Sequence, residues 1–194
     1  MLTHFQVAGA LGRITILALI AGWAFRAPVQ GADQPPTVGE KASEFKLNTV
    51  EGEPVELSGL LKQGPVVLLV LRGWPGYQCP ICNRQVGEFL SSAAKFKAAK
   101  ASLVLVYPGP AAGLKDHAQE FIRGKTLPDN FYYTTDPDYA FTNAYHLRWD
   151  APKETAYPST FLIGQDGLIQ FAKISTTHGG RASAAEVLQA LAGK

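Results

Sequence analysis

Cysteine is scarce in this chain: there are two in 194 residues, Cys79 and Cys82, separated by Pro80 and Ile81. That scarcity excludes a scaffold stapled by several disulfides, and it excludes a zinc site built from four cysteines. A charge bias is missing too. The 18 Lys and Arg and 16 Asp and Glu leave a net charge of +2 and form no long run. The basic stripe of a nucleic-acid binder is absent, so no nucleic-acid partner is expected. No apolar stretch reaches the roughly 20 residues of a bilayer-spanning helix. No internal repeat is visible, and nothing is of low complexity beyond a Pro-rich stretch after the N-terminal segment. What remains is globular material, 46% hydrophobic and 18% charged, enough for one core with some chain to spare.

The first thirty residues differ from the rest. "MLTHFQVAGALGR" carries His4 and Arg13 and no acid, Ile14 to Phe25 is an uncharged, largely apolar run of 12, and "RAPVQGADQPP" turns small and polar. These are the three regions of an export signal. Cleavage is expected after Gly31 or Ala32. The alternative is an uncleaved N-terminal anchor, lengthened through Val7 to Leu11 if Arg13 reaches toward the interface. A buried core helix is disfavoured by Arg13 and the Pro-rich exit. The domain organisation expected is residues 1–31 as signal peptide or anchor, 32–42 as linker and 43–194 as the folded domain, exported from the cytoplasm. Membrane contact is expected only if the anchor is retained.

Within the folded part, "EFKLNTVEGEPVEL" alternates about Glu51-Gly52 as a hairpin, and "SGLLKQG" reads as a short helical turn. "PVVLLVL", Pro65 to Leu71, is a strand buried on both faces. From Pro80 the period becomes helical, with Val86, Phe89, Leu90, Ala93 and Phe96 on one side. "SLVLVYP" is a second buried strand, and Gly113 to Lys125 is a helix. "FYYTTD" reads as a short edge strand, and Pro137 as the first turn of another helix. "STFLIGQDGLIQFAKI" is a hairpin around Asp166-Gly167, and "SAAEVLQALAGK" is a terminal helix capped by Ser183. Alternating strands and helices followed by a hairpin give an α/β fold, a central mixed β-sheet flanked by helices with an N-terminal β-hairpin extension.

The cysteines follow the first buried strand, where open α/β sheets place their sites. With Cys79 at the helix N-cap, Pro80 falls at the first helical position, where its missing N–H costs nothing, and Cys82 falls one turn along. Both sulfurs then lie near unpaired N–H groups at the positive helix end, which favours the reactive thiolate. A structural disulfide across so small a loop removes little unfolded-state entropy. A metal site needs further ligands, and His117, His146 and His178 are scattered. Copper held by the two cysteines and one histidine, as in a carrier protein, stays open as an alternative.

The cysteine loop "RGWPGYQCPIC", the later "YPSTFLIGQDGLI" and the strand order resemble the thioredoxin-fold redoxins, specifically the peroxiredoxin-like branch of the AhpC/TSA family, over residues 36–192. The resemblance implies a thioredoxin-like fold and an antioxidant thiol oxidoreductase needing no cofactor, cycling through a Cys79–Cys82 disulfide. Its implied partners are a hydroperoxide or protein disulfide and a thiol reductant protein. It also implies a cis-proline at Pro158, with the preceding backbone pairing to a substrate peptide. Two orders of attack follow. In the peroxiredoxin pattern, spaced from Pro75, Cys82 attacks peroxide and Cys79 resolves it; here Cys79 replaces the usual hydroxyl residue, and Pro158 replaces an arginine. In the reductase pattern the more exposed Cys79 attacks and Cys82 resolves, although "VVLLVL" lacks the buried acid common in thioredoxins. Arg72, Trp74 and Arg181 match the branch as substrate-holding or thiolate-stabilising residues, with Trp74 and Tyr77 shielding the thiols. His178 reads as a loop residue beside Gly179-Gly180, and His117 as exposed.

Overall fold

In the computed structural model Ala32–Lys194 forms a compact unit of its own. The structure describes residues 34–193 together with Met1, Leu2 and His4. The export segment and its anchor alternative lie outside the described residues, among which no helix is long and apolar enough to cross a membrane.

Seven strands form one sheet: β1 (Lys46–Thr49), β2 (Pro54–Glu56), β3 (Val66–Val70), β4 (Ser102–Gly109), β5 (Phe131–Pro137), β6 (Ser159–Ile163) and β7 (Ile169–Ile174). Their order is β2-β1-β5-β4-β3-β6-β7. β3, β4 and β5 run parallel at the centre, and the two hairpins close the flanks antiparallel. The expected mixed sheet with a hairpin extension is therefore present. β3 is central because all five of its residues are apolar and fully buried. Val67 and Leu69 pack on one face with α2 (Pro80–Ser91), α3 (Ala93–Ala98), α4 (Leu114–Phe121) and α6 (Ala184–Ala192). Val66, Leu68 and Val70 pack on the other with α1 (Leu57–Leu61) and α5 (Ala140–Ala144). Each such side chain contributes about 1.5–3 kcal/mol.

Four sequence expectations change. The strand read as an edge, β5, is interior, because β1 covers its free side through Asn48↔Thr135 and Thr49↔Thr134. Pro137 ends β5 instead of opening a helix. The helix starts at Ala140 because the Asp136 carboxylate accepts the Phe141 and Thr142 N–H groups at 2.8 and 2.9 Å, after a turn in which Asp138 and Tyr139 take positive φ. The expected linker is docked over its second half: Gly39 and Ala42 donate to Ile169 and Gly167, and Ile169 donates back to Glu40. The long helical period beginning at Pro80 is two helices that meet at Ser92, where φ and ψ are −100° and 6°.

Candidate active site

The chain leaves β3 under tight restraint. Leu71 N–H donates to Val106 and Trp74 N–H to Pro108, both at 2.9 Å, so the loop is laid along β4. Gly73 makes this approach feasible. Its φ is +69°, and a Cβ there would stand 1.8 Å from the Pro108 carbonyl oxygen. The loop then delivers Cys79 in extended conformation as the N-cap of α2, with Pro80 at the first helical position. Cys79 Sγ accepts the Cys82 N–H at 3.3 Å, so the cap residue of this helix is a sulfur.

Both cysteines are free thiols, at 3% and 1% exposure. Cys79 is the less buried of the two, as expected, but only slightly: the cap contact turns its sulfur inward, onto the same core face as Cys82. Over the pair lies Arg181, from the loop between β7 and α6. Its Nη1 donates to Cys82 Sγ at 3.1 Å and to Gln85 Oε1 at 3.2 Å, its Nη2 reaches Cys79 Sγ at 3.7 Å, and its Nε donates to the His178 carbonyl at 3.0 Å.

These contacts separate the two sulfurs electrostatically. Cys79 is drawn down to about 5, first by the hydrogen bond from the Cys82 thiol and then, against the cost of burial, by the Cys82 N–H, the Arg181 cation and the Ile81 N–H. Cys82 is pushed well above the ordinary range, first by burial and then because its proton is held by Cys79, with Arg181 opposing. At neutral pH the site is a Cys79 thiolate hydrogen-bonded by a Cys82 thiol. A thiolate at Cys79 is a nucleophile beside a ready resolving thiol, which is the arrangement that disulfide exchange requires.

Gln78 braces the loop just before the nucleophile. Its Oε1 accepts from the buried Tyr107 hydroxyl at 2.9 Å, and its Nε2 donates to the His117 carbonyl at 2.9 Å and to Glu120. Trp74 stacks on His117 with ring centroids 3.6 Å apart, so His117 is half-buried and Trp74 is part of the loop's packing on α4. Neither Gln78 nor Gln85 is marked by the sequence motifs. Gln85 is legible only as the residue one turn beyond Cys82.

Arg72 and Pro158 do not do what the resemblance implies. Arg72 is buried with its nitrogens on other partners: Nε donates to Glu154 at 2.6 Å, Nη2 to the Lys153 carbonyl at 2.6 Å and Nη1 to the Tyr77 hydroxyl. It pins Tyr77 and the 149–155 loop instead of facing the sulfurs, and Tyr77 is half-exposed above it. The Tyr157–Pro158 bond is trans. The backbone before Pro158 is already paired, since Tyr157 N–H donates to Leu147, the Tyr157 carbonyl accepts from Ser159 Oγ, and Ala156 bridges to Arg148. An incoming peptide therefore finds no free amide there. The copper alternative also loses its third ligand, because the group over the two sulfurs is a guanidinium and His178 is held by Glu154 at 2.9 Å. No cluster of three His, Cys, Asp or Glu suited to a metal occurs among the described residues.

With this geometry in view, a family model described as AhpC/TSA family matches residues 38–172. The chain belongs to the AhpC/TSA family. The matched span contains both cysteines, Arg72 and Glu154 and ends before His178 and Arg181. Among curated proteins it is similar to the methylamine utilization protein MauD of Methylobacillus flagellatus, 28% identical over 71% of this chain and 58% of that protein. It is also similar to MauD of Methylophilus methylotrophus, 34% identical over 44% and 39%. The chain thus spans about half the length of these relatives or less. Peroxidoxin BcpB of Mycobacterium tuberculosis superposes with a TM-score of 0.62 at 22% identity, over 82% of this chain and 97% of that one. A secreted M. tuberculosis disulfide oxidoreductase homologous to E. coli DsbE superposes at 0.55 and 21%, over 77% and 96%. This AhpC/TSA member has the thioredoxin-like fold of the redoxins.

Proposed function

We propose that this redoxin is an exported thiol–disulfide oxidoreductase in which Cys79 attacks and Cys82 resolves. The observation that carries the reading is the polarised pair: a Cys79 sulfur capping α2 under Arg181, with the Cys82 proton held against it. The Cys79 thiolate attacks one sulfur of a substrate disulfide. The S–S bond breaks, the departing sulfur takes a proton, and a mixed disulfide forms. Cys82 then gives up its proton and attacks Cys79, releasing the second substrate sulfur as a thiol. Two electrons pass from the cysteine pair to the substrate, and a dithiol reductant protein restores them. A secreted disulfide oxidoreductase of the same fold agrees with this reaction class and with export, and processing after Gly31 or Ala32 rests on the N-terminal sequence.

Reduction of a hydroperoxide is the second reading, and it rests on the 3.1 Å contact of Arg181 with Cys82 and the Pro75-to-Cys82 spacing. Cys79→Ser and Cys82→Ser variants separate the two. The Cys82→Ser variant should accumulate a mixed disulfide with a model protein disulfide, and Cys79→Ser should form none. A Cys79→Ser variant that still attacks the disulfide overturns the order proposed. Rapid peroxide-dependent sulfenylation of Cys82 in that variant establishes the peroxidase in its place.

A further inference from the structure

Arg181 faces both sulfurs from a loop held at its two ends, by Ser175 N–H on the Pro158 carbonyl and by Gln85 Nε2 on the Ala182 carbonyl, with an exposed stretch between. Residues 176–180 are exposed, include Gly179 and Gly180, and carry no regular structure. Glycines leave such a segment many conformations to lose. Its internal bonds, from Ser175 Oγ to the Thr177 and Gly179 carbonyls, shape the turn and tie its start to buried Ser175, whose N–H donates to the Pro158 carbonyl at 2.9 Å. Within the exposed stretch, a side-chain tie to the body runs through His178. Its Nε2 meets Glu154 Oε1 at 2.9 Å, and its ring lies 5.4 Å from that of Trp149. Glu154 is itself immobilised. Its other oxygen accepts from Arg72 at 2.6 Å, in a pair with 3% and 11% of the side chains exposed, and Arg72 continues directly from β3. The carbonyl of the same His178 receives Arg181 Nε at 3.0 Å, leaving Nη1 and Nη2 to face Cys82 and Cys79.

We propose that Glu154 and His178 are positioning residues for the cysteine pair: the buried Arg72–Glu154 couple anchors the His178 side chain, and the His178 carbonyl aims the Arg181 guanidinium at both sulfurs. This gives the conspicuous Arg72 a role at a distance, through the loop it pins, and it accounts for a carboxylate divided between a buried guanidinium and an exposed imidazole. The inference rests on the reading of Cys79 as the thiolate nucleophile.

The test uses the full reduced chain and two readouts that a merely structural contact would not move: the pH midpoint of Cys79 alkylation and the reduction potential of the pair. His178 is exposed, so His178→Ala should fold as the parent does by circular dichroism. It should raise the alkylation midpoint by about one unit, the low end of what a cation within about 4–6 Å provides. It should shift the midpoint and the potential no further when Arg181→Met is already present. His178→Gln, which keeps a donor for Glu154, should stay near the parent. An unchanged midpoint in folded His178→Ala, or effects of His178→Ala and Arg181→Met that simply add, overturns the positioning role. If the parent itself has no Cys79 midpoint below neutrality, the nucleophile reading fails separately. The potentials of the same variants still decide the positioning role, because a shift that vanishes in the Arg181→Met background supports it and an additive shift refutes it.

Discussion

Replacing Arg181 by methionine keeps the apolar stem and removes the cation over the sulfurs. The structure sets the size of the effect. Its nearest nitrogen lies 3.7 Å from Cys79 Sγ, and two unit charges at that distance interact by about 4–5 kcal/mol at an effective dielectric of about 20. Arg181 is partly exposed, so water and salt reduce this to about 1–2 kcal/mol, or about one pKa unit. The sign is fixed, because loss of a cation beside an acid raises its pKa. Cys79 should therefore move from about 5 to about 6 and not to the free-thiol value, since the Cys82 thiol and the N–H groups of Cys82 and Ile81 remain. At pH 7 both proteins are more than about 90% thiolate, so their alkylation rates should agree within about 10%. At pH 5.5 the thiolate falls from about three quarters to about one quarter, and the rate should drop about threefold. Iodoacetamide alkylation of reduced protein from pH 4 to 9, followed by mass of the Cys79 peptide, reads this directly. An unchanged midpoint refutes the role of the guanidinium. A midpoint near the ordinary thiol value refutes the hydrogen-bond contributions assigned to Cys82 and Ile81.

The same polarisation governs the reduction potential. With Cys79 ionised above about pH 5 and Cys82 still protonated, two electrons carry one proton between about pH 5 and 8, so equilibration with a glutathione couple should give a fall of about 30 mV per pH unit. A slope of about 60 mV through that range contradicts the thiolate. On the stability side, Ser183 caps α6 in a reciprocal box, accepting from Glu186 N–H at 3.2 Å while Glu186 Oε2 accepts the Ser183 N–H at 2.8 Å. Ser183→Ala should cost about 1 kcal/mol in urea unfolding with the slope unchanged.

The features legible in the sequence are those whose physics is local. An N-cap, a proline at the first helical position and a second sulfur one turn later are fixed by spacing, and Cys79, Pro80 and Cys82 stand accordingly. The Ser183 box and the Asp166-Gly167 turn are equally local. The place of Arg72 beside the cysteine loop points to the site, yet its side chain pairs with residues 81 and 82 positions away. No pattern around it announces which side of the loop it will take. Arg181 meets Cys82 across 99 residues; its place over the sulfurs follows from topology, because β7 returns beside β6, which lies beside β3, and so ends near the start of α2. The same topology explains Pro158. It sits where the resemblance puts it, one residue before β6, but the chain folds back so that the Leu147 carbonyl takes the Tyr157 amide, and the Ser159 hydroxyl donates to the Tyr157 carbonyl. A proline's position is written in the sequence. Whether the backbone beside it is free to take up a partner depends on which other segment reaches it first.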